Sequence, residues 1–389
     1  MPKVQIWIDG KEIWAEEGSN LLEAALAAGI HIPHLCHDPR LKPFGSCRLC
    51  FVEIEGGRAP VPACGQVVTP GLKVTTENET IRKLRKTALS LLMTEHCGDC
   101  IAPCQLACPA HIDIQGYIAH IANGRRDAAA ALIREQMPFA SVCGRVCPRF
   151  CEDACRRNIV DEPVAICALK RYAGDFDLEN FNSYAATPLP DTGKRVAVVG
   201  GGPAGLTAAY YLALAGHRVT VYDRGPELGG MLRYGIPEYR LPKAILDQEI
   251  KLITDLCAEV RLGQVLGKDF TLDELRQSYD AVFLGLGSQA AQMLGLPGED
   301  SPGILNGIGF LRAVVEGNAP DLGRNVVVVG GGNTAMDAAR TALRLGAEKV
   351  TVVYRRSREE MPANMQEIEE AEEEGVKFLP LANPQGYVC

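Results

Sequence analysis

The sequence has no long hydrophobic run. None of its apolar stretches reaches the length needed to span a bilayer, so a membrane-spanning helix is not expected. A secretory signal is not expected either: the opening MPKVQIWIDGKEIW alternates polar and apolar residues, with no charged segment ahead of a long apolar run. Basic charge is in short supply too. The 40 Lys and Arg are outnumbered by 48 Asp and Glu, the net charge is −8, and no basic patch compensates, which argues against nucleic acid as the main partner.

Cysteine is abundant instead. The chain has 15, and 12 of them fall in three tight groups before residue 156. Without an export signal the expected compartment is the reducing cytoplasm, where dense cysteine spacing signals metal or redox chemistry rather than disulfides. The first group, Cys36, Cys47, Cys50 and Cys64, has the spacing C-x10-C-x2-C-x13-C in a Gly- and Pro-rich stretch and suits a [2Fe-2S] cluster. A structural zinc site is the alternative, although such sites usually pair two C-x2-C knuckles. The second group is Cys97, Cys100, Cys104 and Cys108, and the third is Cys143, Cys147, Cys151 and Cys155. Their eight thiolates are the number that two [4Fe-4S] clusters require. Pro109 after Cys108 matches the ferredoxin pattern in which the last Cys of a run ligates the other cluster.

A length of 389 residues and 47% hydrophobic content allow about two to four domains. Residues 1–80 open with a hairpin, Val4 to Ile8 and Lys11 to Trp14, turned by Asp9-Gly10. A helix follows, N-capped by Ser19, with Leu21, Leu22, Ala25 and Leu26 as its apolar stripe up to Gly29, and a short strand is expected at Cys50 to Ile54. Residues 81–175 read as helical: one helix carries Ile81, Leu84, Leu91 and Leu92, and two more lie between Ile114 and Gln136 before Met137-Pro138 stops the pattern. Residues 176–194 gather Pro, Asn and Gly and read as a linker. Residues 195–323 and 324–389 then repeat a strand, Gly-rich turn and helix. The fold class is therefore multidomain: an α+β ferredoxin of β-grasp type, an α-helical double-cluster domain, and tandem α/β Rossmann-like nucleotide-binding units, C-terminally incomplete.

In the first nucleotide unit RVAVVGGGPAG places Gly200, Gly202 and Gly205 between a buried strand and a helix, with Pro203 and Ala204 opening the helix. The glycines permit a tight turn and close approach to a pyrophosphate at the helix N-terminus. Asp223, ending the next strand beside Arg224, is positioned to accept hydrogen bonds from a ribose. The second unit, NVVVVGGGNTAMDAARTALRLG, repeats the pattern with Gly330, Gly332, Asn333, Thr334 and Ala335. Arg355 and Arg356 follow its next strand where an NAD-specific site would carry an acid, which favours NADP(H) through pairing with a 2′-phosphate. The acidic run EIEEAEEEG reads as an exposed helix ending at Gly375.

These motifs carry a family resemblance. The first cysteine group resembles the N-terminal ferredoxin domain of the large iron–sulfur subunit of complex I and of NAD-linked hydrogenases and formate dehydrogenases. HCGDCIAPCQLACPAHIDI with CGRVCPRFCEDAC resembles the N-terminal domain of the glutamate synthase small subunit, of the large subunit of the bifurcating NADH-dependent ferredoxin:NADP reductase, and of dihydropyrimidine dehydrogenase. The resemblance implies interleaved ligation: Cys97, Cys100, Cys104 and Cys155 on one cluster, and Cys108, Cys147 and Cys151 on the other. Where the family often supplies a Gln or Glu as the last ligand, this chain has Lys170, whose ammonium has no lone pair for a metal. Cys143 is the first candidate for the eighth ligand and Cys167 the second.

GPELGGMLRYGIPEYRLPK resembles the family's flavin-binding stretch and implies FAD, with Gly230, Met231 and Arg240 approaching the flavin or its phosphates. YRRSREEMPA resembles its NADPH-binding segment. His96 and the His31, His34 and His37 group are expected at the surface or beside ligands, and Arg145 and Arg149 either offset cluster charge or solvate the surface. In the family the chain later returns to complete the flavin unit. This sequence reaches Cys389 short of the roughly 100 residues that a full second unit needs, so a fragment or a separately encoded remainder is expected.

The expected activity is that of an NAD(P)H-dependent iron–sulfur flavoprotein. NADPH reduces FAD, two [4Fe-4S] clusters and one [2Fe-2S] cluster carry electrons onward, and a redox partner subunit in a hetero-oligomeric complex receives them. The partner is expected to be a glutamate synthase large subunit, or a hydrogenase, formate dehydrogenase or bifurcating assembly. No catalytic side chain is needed, because the cofactors carry the chemistry. The rival is a non-catalytic electron-wiring subunit without flavin.

Overall fold

The computed structural model describes residues 2–96, 98, 100–180 and 186–388. They divide into two compact units, Met1–Pro103 with Ala119–Arg125, and Cys104–Ile118 with Arg126–Cys389.

The first unit is built on a mixed five-stranded sheet in the order β2-β1-β5-β3-β4, from β1 (Lys3–Ile8), β2 (Lys11–Glu16), β3 (Phe51–Ile54), β4 (Val61–Pro62) and β5 (Lys73–Thr75). β1 and β2 pair antiparallel in the expected hairpin. Asp9 and Gly10 both take positive φ (50° and 77°), as a two-residue turn matching the strand twist requires. α1 (Leu21–Ala27) buries Leu21, Leu22 and Ala25 against Ile6, Ile8, Ile13, Val52 and Val74. Its N-cap is Asn20, not Ser19: the Asn20 Oδ1 accepts from the Leu22 and Glu23 amides at 3.0 and 3.3 Å. Ser19 instead donates to the Glu16 carbonyl. α2 (Glu79–Thr94) is capped by Asn78 and buries Ile81, while Leu91 is exposed.

The helical elements that follow are α3 (Pro103–Ala107), α4 (Ile114–Ala122), α5 (Arg126–Arg134), α6 (Ala140–Val146), α7 (Phe150–Asp153) and α8 (Ile166–Glu179). α8 runs through residues 176–179, so the expected linker starts at least one helical turn later than its sequence suggests. Periodicity faded there because the last turn is stabilised by tertiary contacts, among them the buried ion pair of Arg134 and Asp177 at 2.6 Å.

The two strand–helix repeats lie in the second unit. β6 (Arg195–Val199), α9 (Pro203–Leu214), β7 (Arg218–Tyr222), α10 (Met231–Tyr234), α11 (Lys243–Thr254), β8 (Glu259–Arg261), α12 (Leu272–Ser278) and β9 (Ala281–Leu284) give a parallel sheet in the order β8-β7-β6-β9. α13 (Gly307–Val315) precedes the second repeat. There β10 (Asn325–Val329), α14 (Asn333–Arg344), β11 (Lys349–Val353), α15 (Met365–Glu373) and β12 (Lys377–Leu379) form a parallel sheet in the order β10-β11-β12. α15 is not a merely solvated acidic helix. Arg340 pairs with its Glu367 and Glu370 and with Glu374, Arg344 also pairs with Glu374, and Arg358 pairs with Glu372. No helix among the described residues is long and apolar enough to cross a membrane.

Candidate functional site

In the first unit the fold gathers Cys36, Cys47, Cys50 and Cys64. Cys47, Cys50 and Cys64 are buried, and the Cys47 amide donates to the Cys36 sulfur at 3.4 Å. Burial and then a hydrogen bond with Cys50 push the Cys64 thiol up to about 12, with Cys36 and Cys47 adding like charge. Burial would raise Cys47 as well, but backbone hydrogen bonds at Leu49, Cys36 and Leu35 hold it below its ordinary value. Amides aimed at sulfur are what a cluster-binding loop supplies. The strand–helix framework reaches this loop directly, since Asn20, the cap of α1, donates from Nδ2 to the Cys64 carbonyl at 2.6 Å. Of the neighbouring histidines, His37 is not at the surface: its side chain is 5% exposed and its Nε2 lies 3.2 Å from Glu23.

Cys97 lies outside the described residues. Cys100 is in the first unit, with His96 Nε2 3.9 Å from its sulfur. The remaining thiols of the two other groups are in the second unit. Burial raises Cys104, whose neighbours include Cys155 and Cys108.

Cys147 and Cys151 each share a hydrogen bond with Cys167, which raises Cys147 and lowers Cys151. Cys167 itself is drawn down by Cys147 but driven up by Cys151 and by burial, ending near 12. Tyr117 is fully buried beside Cys151, Cys167, Cys104 and Cys108, and its hydroxyl donates to the Ile166 carbonyl at 2.9 Å. Lys170 is buried in the same place. Burial works against its charge, yet Cys167, Cys143, Cys147 and Cys151 hold it above the ordinary lysine value. Burial pushes Cys143 to about 12; it packs against the apolar core around Val198 and Leu206. Arg145 is not free to offset a cluster, because its guanidinium is taken up by Asp175 at 2.6 and 2.9 Å.

Among the described residues no three His, Cys, Asp or Glu converge as a single-ion site requires. A four-iron cluster is held by several thiolates, so the neighbouring sulfur donors of this segment, with Cys151 and Cys167 buried, would fit it chemically.

α6, which carries Cys143 and ends at Cys147, is fixed by Glu249 of α11. This carboxyl is fully buried and accepts from the Ser141 and Val142 amides at 2.7 and 2.9 Å, while burial raises it to about 7. Nothing local in the sequence marks Glu249. Its partners lie 108 and 107 residues away.

The first glycine loop follows β6. Gly200 has φ 109°, and a Cβ there would lie 2.2 Å from the Gly285 carbonyl oxygen. A Cβ at Gly205 would lie 1.8 Å from the Gly200 oxygen, so both positions require glycine. Gly200, Gly202, Pro203, Ala204, Asp223, Arg224, Gly230 and Met231 line one cleft, together with Tyr234, Gln289 and Arg312, which the sequence did not single out. Asp223 braces this loop by accepting from the Gly201 and Gly225 amides, each at 2.6 Å.

Arg240 is a correction. It does not line the cleft; its guanidinium pairs with Asp337 at 2.7 Å and Glu367 at 2.8 Å. An arginine whose fork is so paired has none free for a phosphate.

In the second repeat Gly330 has φ 145°, Gly332 is the N-cap of α14, and Asn333 Oδ1 accepts from the Asn364 amide at 2.9 Å. Ala335 is buried, and a Cβ at Gly307 would lie 3.5 Å from Thr334 Cγ2. Arg355 and Arg356 are exposed just after β11, and neither takes part in the ion pairs found among the described residues, unlike Arg358.

The chain matches three family models in succession. Residues 1–79 match a 2Fe-2S iron-sulfur cluster binding domain, residues 75–181 match dihydropyrimidine dehydrogenase domain II with a 4Fe-4S cluster, and residues 194–387 match pyridine nucleotide-disulphide oxidoreductase. It is 49% identical over 282 residues to the NADPH-Fe(3+) oxidoreductase subunit beta of Geobacter sulfurreducens, covering 71% of this chain and 42% of that protein. It is 44% identical over 312 residues to the NADP(+)-dependent formate dehydrogenase subunit beta of Moorella thermoacetica, covering 74% and 44%. To the glutamate synthase [NADPH] small chain of Escherichia coli it is 38% identical over 306 residues, covering 75% and 65%. The chain thus spans less than half the length of the first two. Its homologues thus include the glutamate synthase [NADPH] small chain and these two beta subunits, and its matched domains follow one another as a [2Fe-2S] domain, a [4Fe-4S] domain and a pyridine nucleotide-disulphide oxidoreductase domain.

Proposed function

We propose that this chain is the electron-input module of a multisubunit oxidoreductase. Electrons enter from NADPH, pass through FAD to two [4Fe-4S] clusters and one [2Fe-2S] cluster, and leave to a partner subunit. The observation that carries this reading is the succession, in one chain, of a thiol-rich loop on a mixed sheet, a helical thiol-rich segment and two glycine-loop repeats. Relatives named as beta subunits of an NADPH-Fe(3+) oxidoreductase and of an NADP(+)-dependent formate dehydrogenase support it.

When bound, a flavin accepts hydride from a reduced nicotinamide and releases electrons one at a time to iron–sulfur clusters. The chain supplies binding and orientation. The amides around Gly200 and Gly202 and the N-terminus of α9 would hold a pyrophosphate, and Asp223 would accept from a ribose hydroxyl with the lone pairs that the loop amides leave open. Arg355 and Arg356 would pair with a 2′-phosphate through their planar forks. Cys36, Cys47, Cys50 and Cys64 would hold the [2Fe-2S] cluster, with Cys97, Cys100, Cys104 and Cys155 on one [4Fe-4S] cluster and Cys108, Cys147 and Cys151 on the other. No side chain is assigned an acid or base role.

The test is an anaerobic visible spectrum of the purified chain titrated with NADPH and, separately, NADH. Bleaching of a flavin band by NADPH well before NADH is expected. Iron–sulfur absorption without flavin would leave the electron-wiring reading standing instead, and a colourless zinc protein would overturn both.

A further inference from the structure

We propose that Cys167 is the fourth thiolate of the second [4Fe-4S] cluster, completing a set with Cys108, Cys147 and Cys151, and that Lys170 is the buried counter-charge beside it. The inference rests on the reading of this segment as a double-cluster domain and goes beyond it by naming the ligand that the family pattern leaves open.

Three observations carry it. The first is contact. The Cys167 thiol is hydrogen-bonded to both Cys147 and Cys151, whereas Cys143 makes no such bond to either. Tyr117 adds Cys108 to the same neighbourhood, since it is surrounded by Cys151, Cys167 and Cys108 while holding the carbonyl of Ile166, the residue before Cys167.

The second observation is position. Cys167 is the second residue of α8, a helix of 14 residues, and its amide donates to Glu152 Oε1 at 2.8 Å, which ties this helix start to α7, which carries Cys151 and leads to Cys155. A cluster held by four thiolates is anionic, and the N-terminus of a helix favours negative charge. The thiol is 2% exposed, as a ligand shielded from water should be.

The third is Lys170. Residues three apart share a helix face, so Cys167 and Lys170 stand side by side on α8, and Lys170 is 5% exposed. A lone buried ammonium is costly, and an anionic cluster beside it removes the cost. The ligand position has in effect moved back one turn along α8: sulfur stands at 167, and the residue at the family's usual ligand position supplies charge. Cys143 also has Lys170, Cys147 and Cys108 among its charged neighbours, but it packs against the apolar core around Val198 and Leu206, beside Glu249.

The test uses the full chain purified anaerobically, with iron and acid-labile sulfide counted and the reduced protein examined by EPR, and with far-UV circular dichroism to verify folding. The wild type should hold about ten iron atoms, two from one cluster and four from each of the others. C167A should fall to about six, or to about nine with a three-iron signal, while C143A keeps about ten. In C167A/K170Q, an oxygen ligand returned to the family's position should recover the lost iron. Full iron content with an unchanged spectrum in C167A overturns the assignment. So does equal loss in C143A and C167A with no recovery in the double variant. A wild-type chain holding only about two iron atoms would remove the [4Fe-4S] clusters themselves, and with them both this assignment and the reading on which it rests.

Discussion

Replacing Glu249 tests how the thiol-bearing helix is held on the first strand–helix repeat. Its carboxyl is 0% exposed and caps the Ser141 and Val142 amides of α6. Glu249→Ala leaves two buried donors without partners, at roughly 1–3 kcal/mol each, so a loss of about 2–6 kcal/mol is expected before any cavity cost. Glu249→Gln keeps the volume and one acceptor. It also removes a buried charge: a shift from 4.5 to about 7 corresponds to ~3 kcal/mol at neutral pH. The Gln variant should therefore be at least about 2 kcal/mol more stable than the Ala variant.

The sign of the pH dependence follows. The folded state binds the proton more tightly than the unfolded chain, so this group makes stability fall as pH rises from about 4.5 to about 7, with no further change above. In Glu249→Gln that component disappears. The assay is urea unfolding at pH 5 and pH 8, followed anaerobically by circular dichroism, with hydrogen exchange at the Ser141 and Val142 amides as a local readout. If Glu249→Ala matches the wild type within about 0.5 kcal/mol and leaves both amides protected, the capping argument fails.

Other outcomes are specific as well. Gly205→Ala should abolish flavin retention, because its Cβ would sit 1.8 Å from the Gly200 oxygen; a normal flavin-to-protein ratio would contradict the proposed site. Arg355→Ala with Arg356→Ala should raise KM for NADPH about 10–100-fold and leave KM for NADH nearly unchanged, and equal effects on both would count against 2′-phosphate recognition. Asn20→Ala should destabilise the first unit by roughly 1–2 kcal/mol and accelerate loss of the [2Fe-2S] absorption, whereas Ser19→Ala should stay within about 0.5 kcal/mol in the same thermal melts.

Much of the architecture was legible because its signals are local. Asp9-Gly10 dictates its turn, and the glycines at 200, 205 and 330 answer to backbone conformation or close approach within a few residues or one neighbouring strand. The misreadings share another origin. Ser19 and Asn20 are both good caps, and the choice fell to Asn20 because its amide also reaches the Cys64 carbonyl, 44 residues away. Arg240 resembled a phosphate ligand, but Asp337 and Glu367, far along the chain, claim it. The acidic run of α15 looked solvated for the same reason: its partners Arg340, Arg344 and Arg358 are brought to it only by the second repeat. Spacing marks which thiols can share a cluster, but which of Cys143 and Cys167 faces Cys147 and Cys151 depends on how α8 docks against α6.

The first unit treats its thiols as building material. Cys50 and Cys64 belong to the same apolar cluster as Ile6, Leu22 and Val52, so two sulfurs proposed to hold iron also fill the domain's interior. Oxidative loss of that cluster would therefore place polar, oxidised sulfur where close packing is needed, and the lesion would spread through the sheet instead of staying at the loop. Exposure to oxygen should then be felt first as protease sensitivity of this unit, coupling the redox damage of a single centre to removal of the whole polypeptide.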